Sequence, residues 1–143
     1  MFSKTTKYGL RAIIYVALNA TKEKKTDVQK IAKELDVPQH FLAKILQVLS
    51  RAGIVSSSKG PGGGFYFDEK NSDKYLTEVI VCLEGRNLFN DCILGLPECG
   101  DTNPCVLHHQ VKAYKQGLNK ELEQSTIAEL VKSVKEGDNK FRI

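Results

Sequence analysis

The stretch Ala52-Gly53-Ile54-Val55-Ser56-Ser57-Ser58-Lys59-Gly60-Pro61-Gly62-Gly63-Gly64-Phe65-Tyr66-Phe67 decides the fold of this 143-residue chain. Ile54 to Ser57 predicts a short strand, and Phe65 to Phe67 predicts the strand that returns beside it. Ser58 to Gly64 between them is a hairpin tip, because glycine and proline at that density punctuate regular structure. The tip is not a phosphate-binding loop. It lacks the Lys-Ser/Thr that ends such loops, and it joins two strands where a phosphate loop joins a strand to a helix. A tip with so little side-chain bulk can approach a DNA backbone closely at Gly62 and Gly63, with Lys59 near the minor groove. Taken alone, the glycines describe an ordinary flexible turn.

The residues before the hairpin change that reading. Thr26-Asp27-Val28-Gln29 fits a capping box, in which a Thr hydroxyl and a Gln side chain satisfy each other's orphan amides. Val28, Ile31, Ala32 and Leu35 then form the apolar face of a short helix. Asp36-Val37 is a tight break, and Pro38 suits the first position of the next helix. That helix buries Phe41, Leu42, Ile45, Val48 and Leu49, and Gly53 ends it as a left-handed cap. Two short helices so joined are a helix-turn-helix, and with the hairpin they make a winged helix. Gln39, His40, Ala43, Lys44 and Gln47 face away from the apolar stripe. Glutamine and lysine on such a face reach base edges and phosphates in a major groove. A solvated helix face is the alternative, and the hairpin that follows weighs against it.

Further out, residues 4–20 carry a helical stripe of Tyr8, Ala12, Tyr15 and Val16, with Lys4, Lys7 and Arg11 gathered near its start. Asp68 to Lys74 predicts a polar linker, and Thr77 predicts the cap of a short helix through Val79, Ile80 and Leu83 that ends at Gly85. Residues 86–104 form a loop. A longer helix from about Asn103 to about Gln124 spaces Leu107, Val111, Tyr114, Leu118 and Leu122 close to a heptad seam, as a helix packing on another helix requires. Gly117 within it costs about 1 kcal/mol relative to alanine and is consistent with close packing there. Thr126-Ile127-Ala128-Glu129 is a second capping box, opening a last helix through Leu130, Val131 and Val134. The expected class is mainly α with a small β-hairpin: a winged helix-turn-helix plus a long dimerisation helix. The units are a DNA-binding part (residues 1–67), a loop with dimerisation helices (68–137) and a flexible tail (138–143).

Hydrophobic residues make up 41% of the chain, enough for a core, and the longest apolar run, Ala12 to Leu18, is too short to span a bilayer. Met1-Phe2-Ser3-Lys4 runs straight into a helical pattern with no signal peptide, so a cytoplasmic location with reduced cysteines is expected. The net charge of +4 hides an asymmetry. Residues 1–67 hold eleven Lys/Arg against four Asp/Glu, and residues 68–143 hold ten against thirteen. A basic half beside an acidic half points to a polyanion partner for the first half, although scattered solvated lysines give the same count.

Within the loop, Cys92-x6-Cys99-x5-Cys105-x2-His108 sits among Pro97, Gly100 and Pro104. Thiolates with an imidazole are ligands for zinc or for an iron–sulfur cluster. Soft anionic sulfur stabilises iron in a sulfide-bridged cluster, and a neutral imidazole in place of one thiolate generally raises the potential. Cys105 and His108 lie three apart at the expected helix start and so share a face, with His109 as a substitute for His108. Two alternatives stay open: unligated residues in an irregular loop, and structural zinc. Zinc sites usually pair their cysteines in tighter knuckles than these gaps allow. Cys82, among Ile80, Val81 and Leu83, reads as a buried small hydrophobe. Pro104-Cys105 invites comparison with DNA alkyltransferases, but those carry a histidine next and this chain has Val106. Nothing local supplies both a base and an oxyanion hole, so an enzyme is not expected.

The chain resembles the family of bacterial winged-helix regulators that includes the iron–sulfur regulator IscR, the nitric-oxide sensor NsrR and the cysteine-metabolism repressor CymR. The resemblance rests on Thr6 to Leu10, on Ile31-Ala32 with Pro38 and Phe41-Leu42, above all on Ala52 to Phe65, and on Thr126 to Leu130. It implies a homodimer whose long helices cross, with two winged helices on a palindromic site in double-stranded DNA. It also implies ligand roles for Cys92, Cys99 and Cys105, with His108 matching the histidine of IscR-like members. NsrR-like members take an acidic ligand from the partner's first helix, where this chain has Lys7 and Tyr8, so the IscR-like arrangement is the expected one. The first cysteine gap holds six residues where the family commonly has five. The cofactor expected is an iron–sulfur cluster, [2Fe-2S] in preference to [4Fe-4S], sensing redox, iron or nitric oxide in a repressor or other regulator. The competing reading is a zinc-stabilised structural or interaction module with incidental DNA affinity.

Overall fold

Among residues 1–138, 140 and 141, which the computed structural model describes, the elements follow as α1 (Lys4–Asn19), α2 (Val28–Leu35), α3 (Gln39–Arg51), β1 (Ser56–Ser58), β2 (Gly64–Tyr66), α4 (Glu69–Ser72), α5 (Leu76–Glu84), α6 (His108–Gln124) and α7 (Ile127–Lys135). The class is the expected one, helical with a single antiparallel hairpin. Helix α1 is its hub. Ser3 caps it by accepting from the Thr6 amide at 3.2 Å, and Ala12, Ile13, Tyr15 and Val16 are buried along it. The helix packs against α2, α3, α5 and α7 together. One cluster therefore joins Ile13 and Val16 to Ile31, Leu35, Leu42, Leu46 and Leu49 on one side and to Val79, Ile127 and Val131 on the other. Residues 1–67 and 68–137 share this core.

The helix-turn-helix is set by its ends. Asp27, not Thr26, caps α2, accepting from the Lys30 amide at 2.8 Å. Thr26 is diverted because its own N–H and C=O pair with Phe65 of the hairpin, at 2.9 and 2.7 Å. Asp36 closes α2 in the left-handed region at φ 53°, and the Arg11 guanidinium donates to the Leu35 carbonyl at 2.7 Å. Arg11 is thus spent on satisfying an orphan helix-end carbonyl. Pro38 is the cap residue just before α3 and not its first residue. Helix α3 buries Leu42, Ile45, Leu46 and Leu49. Phe41 is only half-buried, and Val48, expected inside, is 41% exposed. The helix is rotated so that Leu46 takes the core position and Val48 looks toward α5. Gly53, at φ 72°, ends α3 in a Schellman turn: Ile54 N–H donates to Leu49 C=O and Gly53 N–H to Ser50 C=O, both at 3.0 Å.

That turn also explains why the strands start later than the sequence predicts. Ile54 is still bonded to the helix, and Ile54 and Val55 are both buried, so the alternation of a strand begins only at Ser56. The register pairs Ser56 with Tyr66, Ser57 with Phe65 and Ser58 with Gly64. Gly64, at φ 149°, presses on the Thr26 carbonyl, where an added Cβ would lie 2.6 Å from the oxygen. Asp68 to Lys74 is not a linker. It holds α4, whose Asn71 is 1% exposed and binds three ways. Its amide donates to Gly53 C=O at 2.8 Å, and its oxygen accepts from Ser56 Oγ and Asp68 N, both at 3.0 Å.

Helix α5 starts two residues earlier than a Thr77 cap would place it. Tyr75 is the cap residue, and its N–H is met by the Glu78 carboxylate at 2.8 Å. Gly85 ends the helix as expected, at φ 91°. Helix α6 begins at His108, not near Asn103. Gly100 and Asn103 close a reciprocal backbone pair at 3.2 and 3.3 Å, which keeps Asn103 in the loop. The Thr126–Glu129 capping box opens α7 as expected. Gly117 has open space around it, so no close packing occurs there within the chain. Of the tail expected over residues 138–143, Asn139, Arg142 and Ile143 lie outside the described residues, and Phe141 is half-buried against the core. No helix among the described residues is long and apolar enough to cross a membrane.

Two substitutions at the base of the wing should move stability in opposite directions. Asn71→Ala removes a buried side chain that serves the Gly53 carbonyl, the Ser56 hydroxyl and the Asp68 amide, and should cost about 1–3 kcal/mol. Thr26→Val removes a buried hydroxyl that has no partner and should raise the urea midpoint. Urea unfolding of the three proteins, compared by midpoint at constant slope, checks both.

Candidate metal centre and nucleic-acid interface

The loop between α5 and α6 has no regular structure, yet it gathers its cysteines. The Sγ atoms of Cys92, Cys99 and Cys105 all lie within 4.8 Å of one another, Cys92 to Cys105 at 3.7 Å. Local turns bring them in. Gly95, at φ 69°, reverses the chain after Cys92, where Gly95 N–H donates to Cys92 C=O at 2.9 Å. The Cys105 amide donates to Cys99 Sγ at 3.5 Å. Cys105 precedes α6, and a turn closed by His108 N–H on Cys105 C=O at 3.0 Å delivers His108 to the helix start.

His108 presents Nδ1 to Cys99 Sγ at 3.3 Å and Nε2 to Asp101 Oδ1 at 2.9 Å. An ionised carboxylate cannot donate, so Nε2 carries a proton, and in the neutral imidazole Nδ1 turns its lone pair toward the cysteines. This is the carboxylate–imidazole arrangement that orients metal-binding histidines. Asp101 is in turn held by the Lys112 ammonium through both oxygens, Oδ2 at 2.7 Å. Hydrogen bonds from Lys112 and then His108 hold the Asp101 carboxyl down at about 2. His109 is exposed and meets His108 edge-to-face, with ring centroids 5.1 Å apart.

The thiols are not equivalent. Amide N–H groups, Leu96 first, then Leu94, with smaller help from the other two thiols, pull Cys92 down to about 7. Cys99 moves up: the Cys105 amide lowers it, but burial and its contacts with the Cys105 and Cys92 thiols outweigh that. The three sulfurs and the imidazole face one pocket of about 220 Å3, lined also by Val111, Lys112 and Lys115 of α6. Three thiols and an imidazole lone pair form a donor set for a borderline or soft metal centre. Cys82 stands apart from it. It is half-buried, not buried, and burial raises its pKa.

Sequence reading missed Asp101, Lys112 and Lys115. Lys115 is the one buried residue of α6, 7% exposed, and its ammonium donates to the carbonyls of Leu88 at 3.0 Å and Asp91 at 2.7 Å. The signal was present in the numbering: His108, Lys112 and Lys115 stand at i, i+4 and i+7, one face of a helix.

In the winged helix, Gln39, His40 and Lys44 are exposed along α3, and Lys59 and Gly62 are exposed in the hairpin. Gly62 takes φ 73°, and a Cβ on Gly63 would lie 2.5 Å from the Ser58 carbonyl, so the tip is folded on its own backbone. A groove of about 460 Å3 separates α3 from the hairpin and is lined by Gln47, Ser50, Arg51, Ser58 and Lys59. Arg51 is a further cation that the sequence reading did not single out. The expected seam on α6 is mostly uncovered: Leu107 is 40% and Tyr114 63% exposed, with Val111, Leu118 and Leu122 half-buried.

The chain is similar to known proteins over nearly its whole length. It matches the Rrf2 family, described as iron-dependent transcriptional regulators, over residues 2–133. It is 32% identical to a protein of Aquifex aeolicus named as an HTH-type transcriptional regulator, across 92% of this chain and 91% of that one. Among solved structures, IscR of T. potens superposes with a TM-score of 0.72 at 22% identity, covering 99% of this chain and 93% of that one. CymR of B. subtilis superposes with a TM-score of 0.71 at 21% identity, covering 92% and 96%. The structural likenesses speak for the fold. With the sequence matches, they place the chain in the Rrf2 family, as a DNA-binding transcriptional regulator and not an enzyme.

Proposed function

We propose that this regulator binds a palindromic operator as a homodimer and that an iron–sulfur cluster held by Cys92, Cys99, Cys105 and His108 controls its affinity. The observation that carries the reading is the convergence of three thiols within 4.8 Å in a loop that leads directly into α6. The tautomer of His108, with Nδ1 free toward the cysteines, supports it as the fourth ligand. When bound, the cluster supplies a redox-active centre whose charge and integrity respond to oxidants, to nitric oxide or to iron supply. [2Fe-2S] is preferred to [4Fe-4S] on the likeness of the Cys3His set to IscR-like members.

The chain's own residues do the rest. Gln39, His40 and Lys44 enter the major groove from α3, while Lys59 with Gly62 and Gly63 meets the backbone from the wing. Leu107, Tyr114 and the half-buried seam residues of α6 pack against the same helix of a second copy. Residues 1–67 thus read DNA, and residues 68–137 set how far apart the two reading heads stand. A palindrome accepts a narrow spacing, so the angle of α6 governs affinity.

A second reading has a specific observation in its favour. Donors around one tetrahedral zinc stand about 3.8 Å apart, and the Cys92 and Cys105 sulfurs are 3.7 Å apart. Zinc would make the loop a structural element. An absorption spectrum of protein purified without oxygen decides, because zinc thiolates are colourless and iron–sulfur clusters absorb in the visible.

Replacing any one of the three cysteines by alanine should remove both visible absorbance and bound iron, and full retention of both in Cys99→Ala would overturn the ligand assignment. Holo and apo dimers on one palindrome at fixed salt should differ five- to 150-fold in affinity, a coupling of about 1–3 kcal/mol. Equal affinities with the apo dimer intact would make the site structural. Lys59→Ala should weaken all sequences alike and flatten the salt dependence, whereas Gln39→Ala should relax specificity at particular bases, at a cost of about 1–3 kcal/mol. Binding titrations against a set of single-base operator variants distinguish the two effects.

A further inference from the structure

We infer that Lys115 is a positioning residue for the metal centre: a buried cation on α6 that clamps the first half of the cysteine loop and faces the thiolates as a counter-charge. The inference rests on the reading of Cys92, Cys99 and Cys105 as metal ligands.

Three observations carry it. First, Lys115 is 7% exposed, and among the described residues it pairs with no carboxylate. A buried ammonium without a counter-ion is costly, and two carbonyl oxygens offset only part of that cost. Second, those carbonyls belong to Leu88 and Asp91, and Asp91 is the residue before Cys92. The clamp therefore fixes the backbone from which the first thiol projects. Third, Lys115 lines the same pocket as all three cysteines. Three thiolates around a divalent ion leave a net negative centre, and the ammonium beside it is the opposite charge its burial lacks.

The second half of the loop has its own tie on the same helix face, Lys112 to Asp101 and Asp101 to His108. Lys112 is already neutralised there and is 39% exposed at its side chain. Lys115 is the cation of the pair that remains uncompensated. The two ties grip the loop just before Cys92 and between Cys99 and Cys105, and residues changed at such outer positions typically cost ten- to a hundredfold in metal affinity.

The test uses full-length apo-protein kept reduced and free of oxygen, with Co2+ as the probe, read by its thiolate-to-cobalt absorption. Lys115→Met should weaken Co2+ binding ten- to a hundredfold, and amide exchange at residues 88–92 should speed up while α1 to α3 keep their protection. Lys115→Arg, which retains charge and donors, should recover most of both; it also serves as the comparison if the methionine variant does not fold, in which case Lys115→Gln replaces it. Unchanged Co2+ affinity, or unchanged exchange at residues 88–92, overturns the inference. The outcome is separable from the cluster reading. Protein that purifies without iron but shows both Lys115 effects sinks the iron–sulfur proposal and keeps the clamp, whereas iron-loaded wild type with no Lys115 effect does the reverse.

Discussion

At Gly9 the backbone of α1 comes so close to its neighbours that a β-carbon there would sit 2.4 Å from Leu83 Cδ1 of α5 and 3.3 Å from Ile45 Cγ2 of α3. Three helices therefore meet at one point, and a side chain at position 9 would have to displace Leu83 and press on Ile45. This approach makes the winged helix and the C-terminal helices one packed body instead of two linked ones. Tight packing transmits displacement and does not absorb it. Since α5 lies against α1, α3 and α6, a shift of α5 is felt by α3.

Around that core, polar groups at helix ends set the angles. Arg11 closes the end of α2, Asn71 joins the end of α3 to the wing, and the Ser3 amide donates to Glu84 at the end of α5 at 2.6 Å. Arg11 and Asn71 meet helix-end carbonyls in part-buried settings, so each is worth more than a surface contact of the same length, whereas the Ser3–Glu84 bond lies exposed. The hairpin, only three residues per strand, is marginal alone and is held by Thr26 and Asn71 at its base. Its position relative to α3 is therefore fixed by the core, while its tip, built on glycines, is free of side-chain packing.

The architecture was legible in the sequence because it rests on periodicity and punctuation: the helices α1 to α3, the left-handed Gly53 and the glycine-rich tip stand where they were expected, although the buried stripe of α3 is turned to take in Leu46 and leave out Val48. The departures share a cause. Thr26 is a good cap by its residue type but is claimed by Phe65, which is 39 positions away by number and adjacent in space. Val48 and Leu46 are equally apolar, and only the rotation of α3 against its neighbours decides which is covered. Asp68 to Lys74 is polar in composition, yet Asn71 is buried because three partners converge on it. In the loop, cysteine chemistry announced the ligands, whereas Asp101, Lys112 and Lys115 look like ordinary surface charges until α6 lines two of them up beneath the loop. Long-range partners, not local propensity, decided each of these.

The loop and α6 stand in a different relation to the core than the other elements do. Helix α6 buries a single residue, a lysine whose partners are loop carbonyls, and its firm helix neighbour within the chain is α5, where Thr77 Oγ1 reaches Asn119 at 3.5 Å. A helix so lightly held takes its direction from whatever grips it. One face is tied to the cysteine loop through His108, Lys112 and Lys115; the adjoining stripe, whose Leu107 and Val111 also line the cysteine pocket, would meet a second copy in the proposed dimer. In that dimer, ordering the loop stiffens the first face, and the stripe then meets its partner in one orientation instead of several. In the proposed function the signal therefore needs no deformation of the core around Gly9. It needs only that α6 be the softest joint in the protein and that both the metal centre and the dimer contact act on it.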